Sequence, residues 1–215
     1  IAEREDEPYT KAALAMCENI DWNVGRILNK IEELGIEDNT IVLYFSDNGP
    51  NSWRWNGRMK RIKGSTDEGG VRSPLVMKWP GKIEKGNRIE QISGAIDLLP
   101  TLADLAEIDL QIKKPLDGIS LKPLLLEDNP NWNDRFLFTY WKDKLSTRNQ
   151  KYRLDNNGAV FDIENDRAQV NNLSSEIPQI MNQMLEAAEK FKNEVLIELP
   201  VKDERLLPLG HPDTK

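Results

Sequence analysis

The chain has 215 residues, a net charge of −7 and a pI near 5.0, and this acidic balance argues against a nucleic-acid partner, because phosphate binding favours a basic surface. Its hydrophobic fraction of 39% and charged fraction of 30% are typical of a folded globular protein rather than a disordered tail. No apolar run approaches the ~18 residues that a membrane-spanning helix needs. The single cysteine excludes an internal disulfide.

The first predicted elements are a long amphipathic helix and a buried strand. Between Tyr9 and Leu34, apolar residues recur at the spacing of one helical stripe, and Gly35 is placed to end the helix. The continuous apolar run Ile41–Phe45 is typical of a strand buried on both faces, as in a parallel sheet. A helix followed so closely by such a strand indicates half of a βαβ unit, and hence an α/β fold.

The polar residues after this strand are candidates for a metal site. Asp47 and Asn48 stand where parallel sheets bind ligands, and their oxygens suit Ca²⁺ or Mg²⁺. The same two residues, followed by Gly49, also fit an ordinary turn. The later run Lys63–Arg72 favours a functional site, because a lysine, a glycine and then Glu-Gly-Gly-Val-Arg is hard to explain by packing alone.

Four further elements are predicted before residue 127. They are a strand over 74–79, a short strand over 92–96, a helix from 98 to about 108, and a short helix over 120–126. Asp97 directly precedes the longer helix and is predicted to cap it.

A break in composition at 127–131 divides the chain into predicted domains of residues 1–126 and 127–215. The second domain is predicted to contain three short strands and one long helix, at 136–141, 151–154, 159–163 and 177–191. The run Asn156-Asn157-Gly158 is predicted to join the last two strands as a hairpin turn. An antiparallel sheet covered by one helix is an α+β unit, and the proline-containing tail to Lys215 is predicted to be extended.

Several motifs occur in order along the chain: Ile20-Asp21-x-Asn23-Val24-Gly25-Arg26, Ser46-Asp47-Asn48-Gly49-Pro50, Lys63-Gly64-Ser65-x-x-Glu68-Gly69-Gly70-Val71-Arg72, Trp79-Pro80-Gly81-Lys82, Ile96-Asp97-Leu98-Leu99-Pro100-Thr101-Leu102, Asp117-Gly118-Ile119-Ser120-Leu121 and Phe161-Asp162-Ile163. Together they resemble the C-terminal half of a formylglycine-dependent sulfatase, in the arylsulfatase family of the alkaline-phosphatase-like superfamily. The resemblance implies an α/β fold, the C-terminal part of that superfamily's sandwich, with a mixed sheet flanked by helices. A small α+β subdomain with an antiparallel sheet and one long helix would follow.

The resemblance also implies roles for individual residues. Asp47 and Asn48 match the family's calcium ligands, whose other carboxylates come from the N-terminal half. Related zinc phosphatases place a histidine after this aspartate, so Asn48 favours calcium and a sulfatase. Lys63 matches the lysine that contacts the substrate sulfate, and is the candidate catalytic and substrate-binding residue. Glu68 and Arg72 are expected to hold their loop by hydrogen bonds and ion pairing.

Three more residues are candidates for substrate binding. Arg54 and Trp55 lie in a loop where aromatic and cationic residues alternate, which suits sugar stacking and charge neutralisation. A loop packed by its own tryptophans is the alternative. His211, the only histidine, is either a surface residue of the tail or part of the substrate pocket. Asp67 stands where the family often has an aromatic residue.

The family's Cys/Ser-x-Pro-x-Arg motif is absent, since Cys17 lies in Met16-Cys17-Glu18-Asn19. The formylglycine nucleophile is therefore expected in a missing N-terminal half, which is the expected protein partner, and the chain is expected to be inactive alone. The expected substrate is a sulfated carbohydrate or an aryl sulfate, and the resemblance implies a periplasmic or secreted protein. The alternatives are a non-catalytic sulfatase-like scaffold or binding module, or a phosphoesterase of the same superfamily.

Overall fold

The computed structural model describes residues 7–53, 56–128 and 130–199. Its first element, α1, spans Glu7–Glu33 and confirms the predicted long helix. Gly35 has a φ of +64° and ends the helix as predicted. Its N–H donates to the carbonyl of Glu32 at 2.8 Å, and the N–H of Ile36 donates to Ile31 at 3.3 Å. This pair of bonds is the Schellman arrangement, in which a left-handed residue satisfies the last helical carbonyls.

The strand β1 spans Val42–Phe45 and pairs antiparallel with β2, Leu75–Lys78, so both predicted strands are confirmed. The prediction that β1 is buried on both faces of a parallel sheet is wrong for the described chain. Its described neighbour is antiparallel, and Tyr44 and Phe45 are 44% and 46% exposed. The apolar run predicts side chains whose burial is favourable, but such a run carries no information about the direction of the neighbouring strand.

The segment before the third helix differs from the prediction. Residues 92–96 form no strand, and a 3₁₀ turn over Ala95–Asp97 leads into α3, Leu98–Leu105, three residues shorter than predicted. Asp97 does not cap α3 with its side chain. Its buried carboxylate instead accepts hydrogen bonds from the backbone N–H groups of Gly94 at 2.8 Å and Ile119 at 3.0 Å.

A short helix, α4, spans Lys122–Leu126 and confirms the helix predicted there. The segment 127–131 lies between α4 and the next strand, and the predicted division into domains at this point stays a prediction. No helix in the described ranges is both long and apolar enough to cross a bilayer.

A four-stranded antiparallel sheet follows in the order β3-β4-β5-β6, which confirms the predicted antiparallel unit. The strands are β3 Leu137–Trp141, β4 Lys144–Arg148, β5 Tyr152–Leu154 and β6 Val160–Asp162. Strand β4 is not among the predicted elements, because Lys-Leu-Ser-Thr-Arg offers one apolar side chain. The predicted hairpin between β5 and β6 is confirmed, with the Asp155 carboxylate accepting the N–H groups of Asn157 and Ala159.

The last helix, α5, spans Pro178–Glu194 and covers one face of this sheet, as predicted. Met184 is fully buried and packs with Ala188 against Leu154 and Val160. The Phe138 and Phe191 rings stack with centroids 4.4 Å apart. The sheet and α5 therefore form a layered unit with its own apolar core.

Candidate active site

Two loops meet at the carboxyl end of β1, and backbone hydrogen bonds hold them together. Gly49, which follows Asn48, donates its N–H to the carbonyl of Gly70 at 2.9 Å. Lys63 donates its backbone N–H to the carbonyl of Pro50 at 3.0 Å. The loop that carries Asp47 and Asn48 therefore lies directly beside the loop that carries Lys63, so the structure brings the three predicted site residues into one region.

The approach of these loops requires glycine. A Cβ on Gly49 would clash with the backbone carbonyl of Gly69, and a Cβ on Gly69 would clash with the carbonyl of Arg61. Gly69 also donates its N–H to the backbone carbonyl of Lys60 at 2.9 Å. The two glycines are thus needed for close backbone contact rather than for a left-handed conformation, since neither has a positive φ.

The side chains of the predicted site remain unpaired by the rest of the described protein. Asp47 and Lys63 are exposed and Asn48 is half-buried. Within the described ranges, none of these three side chains has a hydrogen-bond or ion-pair partner. No group of three or more His, Cys, Asp or Glu side chains suited to a metal ion occurs among the residues described. Asp47 and Asn48 carry side-chain oxygens at adjacent positions, and their role as calcium ligands stays a prediction.

A buried ion cluster lies beneath the Lys63 loop and is centred on Glu68, at the start of the short helix α2, Glu68–Val71. The Glu68 side chain is 2% exposed and accepts hydrogen bonds from Arg72 at 3.0 Å, Arg148 at 3.0 Å and Arg153 at 2.9 Å. The expected loop-holding role of Glu68 and Arg72 is confirmed. Arg148 and Arg153, from β4 and β5, were not anticipated, because 80 and 85 sequence positions separate them from Glu68.

Charge and burial compete in this cluster. Burial opposes the ionised form of Glu68, but Arg153 and Arg148 outweigh it and hold the pKa of this carboxyl below its ordinary value. Burial likewise lowers the pKa of the Arg148 guanidinium to about 10, against the attraction of Glu68. Both groups therefore carry their charges at neutral pH. Three guanidinium groups face one carboxylate, which leaves excess positive charge beneath the loop.

A second cluster fixes the preceding residues of the same loop. The Lys60 ammonium lies 3.1 Å from the Asp155 carboxylate and 3.3 Å from that of Asp67, and it also faces the Phe161 ring at 4.9 Å. The Gln169 amide donates to Asp67 at 3.2 Å. Asp67 is thus held by Lys60 and Gln169 beside the β5–β6 hairpin, where it shares the Lys60 charge with Asp155.

The other three candidates are not placed by the structure. Arg54, Trp55 and His211 lie outside the described residues. In the neighbouring part of that loop, Trp53 is 64% exposed, and it therefore does not pack the loop. Asn56 is buried instead, and its amide donates to the carbonyls of Met59 at 2.8 Å and Arg61 at 3.1 Å.

The chain is similar to known proteins along most of its length. Residues 2–108 match the family model described as Sulfatase, and residues 60–194 match the model described as N-sulphoglucosamine sulphohydrolase, C-terminal. The chain is 32% identical to a protein named Sulfatase from Formosa agariphila, in an alignment that covers 88% of this chain and 40% of that protein. It is 42% identical to human arylsulfatase A over 50% of this chain and 22% of that protein.

The fold also matches solved structures. One of them, described in complex with its substrate D-glucosamine-2-N,6-O-disulfate, has a TM-score of 0.67 and 25% identity, and the match covers 89% of this chain and 42% of that one. This chain therefore spans less than half the length of each relative named here.

Proposed function

The chain belongs to the sulfatase family, and from that premise we propose that it forms the C-terminal part of an enzyme that hydrolyses sulfate esters. One observation carries this proposal. The backbone bonds from Gly49 to Gly70 and from Lys63 to Pro50 hold the loop that carries Lys63 next to the loop that carries Asp47 and Asn48, and these residues offer an ammonium, a carboxylate and an amide oxygen. These are the donor types that a metal-assisted site for a tetrahedral anion requires.

Lys63 is the proposed sulfate-binding residue. An ammonium group is a point charge with three donors, and it can meet the non-bridging oxygens of a sulfate from one side. Neutralising those oxygens is what makes a sulfate ester open to attack, since charge on them repels a nucleophile. The exposed ammonium of Lys63 can reach a ligand without breaking a bond to the described protein.

Asp47 and Asn48 are the proposed calcium ligands. Calcium prefers carboxylate and carbonyl oxygens, and these two side chains offer both from adjacent positions of one turn. When bound, the ion would supply positive charge that neutralises sulfate oxygens. Calcium takes roughly 6–8 oxygens, so further ligands are proposed to come from the part of the enzyme that this chain does not cover.

The nucleophile is proposed to come from that same part. The sequence has no Cys/Ser-x-Pro-x-Arg motif, so this chain's own residues do not fit a formylglycine site. The proposed partner of this chain is therefore the N-terminal half of a sulfatase domain. Exposed apolar side chains support such a partner, among them Met16, Trp22, Phe45 and Val76, which are 66%, 61%, 46% and 58% exposed.

The proposed substrate is a sulfated carbohydrate, and the neighbour solved with a disulfated glucosamine supports this choice. We propose that the sugar part of the ester is contacted by Arg54, Trp55 and His211. A periplasmic or secreted location is proposed with this substrate, because sulfated polysaccharides are extracellular.

The activity proposal is tested by Lys63→Ala in the full-length protein. Losing one charge-stabilising donor should lower kcat/KM for an aryl sulfate by about 10²–10³. The matched control is Lys85→Ala, another exposed lysine, which should leave kcat/KM unchanged. A Lys63→Ala enzyme within threefold of the wild type would remove Lys63 from the site, and turnover of aryl phosphate in preference to aryl sulfate would favour a phosphoesterase.

The calcium proposal is tested by calorimetry on this chain and on the full-length protein. With two ligands, the chain alone should bind Ca²⁺ with a Kd of about 10⁻³ M or weaker, and the full-length protein should bind far more tightly. Asp47→Ala should abolish most of that gain, whereas Asp38→Ala, an exposed acid before β1, should not. Micromolar binding by the chain that Asp47→Ala leaves unchanged would place the metal elsewhere.

A further inference from the structure

The Glu68 carboxylate connects the Lys63 loop to the four-stranded sheet. Arg153 approaches it with two nitrogens, Nη2 at 2.9 Å and Nε at 3.3 Å from Oε2. Arg148 shares its Nη1 between both oxygens, at 3.0 and 3.1 Å. The side chains of Arg148 and Arg153 are 13% and 3% exposed, so these are buried, directional bonds rather than a surface ion pair.

The same arginine also holds the main chain of the loop. Arg153 Nη1 donates to the carbonyl of Thr66 at 2.9 Å, and Ser146 in β4 donates its hydroxyl to that carbonyl at 2.7 Å. The backbone N–H of Glu68 donates to the side chain of Gln169 at 3.0 Å. The segment 66–68 is therefore attached to the sheet through its backbone as well as through its carboxylate.

The two residues that follow Glu68 connect this attachment to both loops of the proposed site, the Lys63 loop and the Asp47–Asn48 loop. Glu68 begins α2, and the N–H of its neighbour Gly69 donates to the backbone carbonyl of Lys60, three residues before Lys63. The next residue, Gly70, accepts the N–H of Gly49, which follows Asn48. A shift of α2 relative to the sheet would therefore move the Lys63 loop and the Asp47–Asn48 loop together.

We propose that Arg148 and Arg153 are positioning residues, which act through Glu68 to hold Lys63 and the Asp47–Asn48 pair in register. The proposal rests on the proposed sulfatase function for its catalytic consequence. Directional ion clusters fix one arrangement of a loop, and a small misplacement of a reacting group lowers the rate steeply. The C-terminal sheet thereby becomes part of the catalytic apparatus without touching the substrate.

The test compares three variants of the full-length protein. Glu68→Gln keeps the size of the side chain and removes its charge. Arg148→Lys keeps the charge and removes the forked geometry, and it alters the less buried of the two arginines. Leu154→Ala is the matched control, because Leu154 neighbours Arg153 in β5 but belongs to the apolar core under α5. Each variant is assayed for melting temperature, for kcat and KM, and for hydrogen exchange at the amides of Gly49 and Lys63.

Glu68→Gln and Arg148→Lys should raise exchange at the Gly49 and Lys63 amides by about tenfold or more, and should lower kcat/KM by about 10²-fold. Leu154→Ala should lower the melting temperature by at least as much as Glu68→Gln and Arg148→Lys do. At temperatures well below its unfolding transition, however, its kcat/KM and its exchange at the Gly49 and Lys63 amides should stay near the wild-type values. If Glu68→Gln does not fold, Arg148→Lys still tests the proposal.

The proposal would be overturned if Arg148→Lys, Leu154→Ala and the wild type all had the same amide exchange rates and the same kcat/KM. A second contrary result is that Leu154→Ala shows the same faster exchange and the same lower kcat/KM as Arg148→Lys. That result would overturn the proposal, since the cluster would then act only on global stability. A wild-type protein that hydrolyses no sulfate ester would instead refute the proposed function, and the exchange comparison would still decide whether the cluster holds the two loops.

Discussion

The β1–β2 ladder and the four-stranded sheet are both antiparallel, but they differ in what covers them. In β6, Val160 is fully buried beneath α5, whereas Tyr44 and Phe45 of β1 are 44% and 46% exposed. The sheet with α5 completes its own core, while the ladder presents apolar faces that the described chain leaves open. The proposed site lies on the incomplete region, and its anchoring comes from the complete one. The apolar core under α5 is therefore expected to determine stability, whereas Arg148 and Arg153 on the same sheet are expected to position the proposed site.

The largest stability effect is expected at a buried ion pair that joins the turn before α3 to the segment before β3. Asp97 is fully buried and binds Arg135, which precedes β3. Asp97→Ala should lower the free energy of unfolding by about 3–5 kcal/mol, because it leaves a largely buried guanidinium uncompensated. Urea unfolding measures the change. Lys114→Met, which breaks an exposed pair with Glu198, is the control and should cost less than about 1 kcal/mol. A similar loss in both variants would mean that burial does not raise the cost of breaking the Asp97–Arg135 pair.

The next effect sets a buried methionine against an exposed one. Met184→Ala should lower the free energy of unfolding by about 3 kcal/mol, since it removes a fully buried side chain and leaves a cavity. Met16→Ala, at a position 66% exposed on α1, should change it by less than about 0.5 kcal/mol in this chain. In the full-length protein the Met16→Ala effect should grow if the proposed partner half covers α1. Equal effects of both substitutions in this chain would mean that the burial of Met184 does not determine its contribution to stability.

The smallest effect concerns pH. The folded-state pKa of Glu68 lies below the ordinary 4.5, so its ionisation stabilises the protein fully above about pH 4.5. That contribution is lost as the pH falls through the lower, folded-state pKa. The stability difference between wild type and Glu68→Gln should therefore be constant above pH 4.5 and shrink below it. Urea midpoints from about pH 6 down to about pH 3 measure this. Leu154→Ala should run parallel to wild type, and a wild-type to Glu68→Gln difference that stays flat would show that the cluster does not depress this pKa.

Local sequence patterns predicted the elements that depend on local physics. The helices α1 and α5 follow from apolar spacing, and the end of α1 follows from Gly35, whose positive φ satisfies the last carbonyls. The candidate residues Asp47, Asn48 and Lys63 were likewise identified from motifs. Their neighbourhood could be expected only through the family resemblance, since nothing in the spacing of the two loops shows that Gly49 bonds to Gly70.

Tertiary structure alone decided which groups became partners across the chain. Asp97 had the sequence position of a helix cap, yet it binds Arg135 and two loop amides, because a buried carboxylate is stabilised most by a cation and several donors. Arg148 lies in β4, a strand too polar to be predicted, and its pairing with Glu68 spans 80 positions. The same holds for β1, whose apolar residues predicted burial but not the surface that provides it. Pairings of this kind depend on how the layers pack, and the local pattern of the sequence does not contain that information.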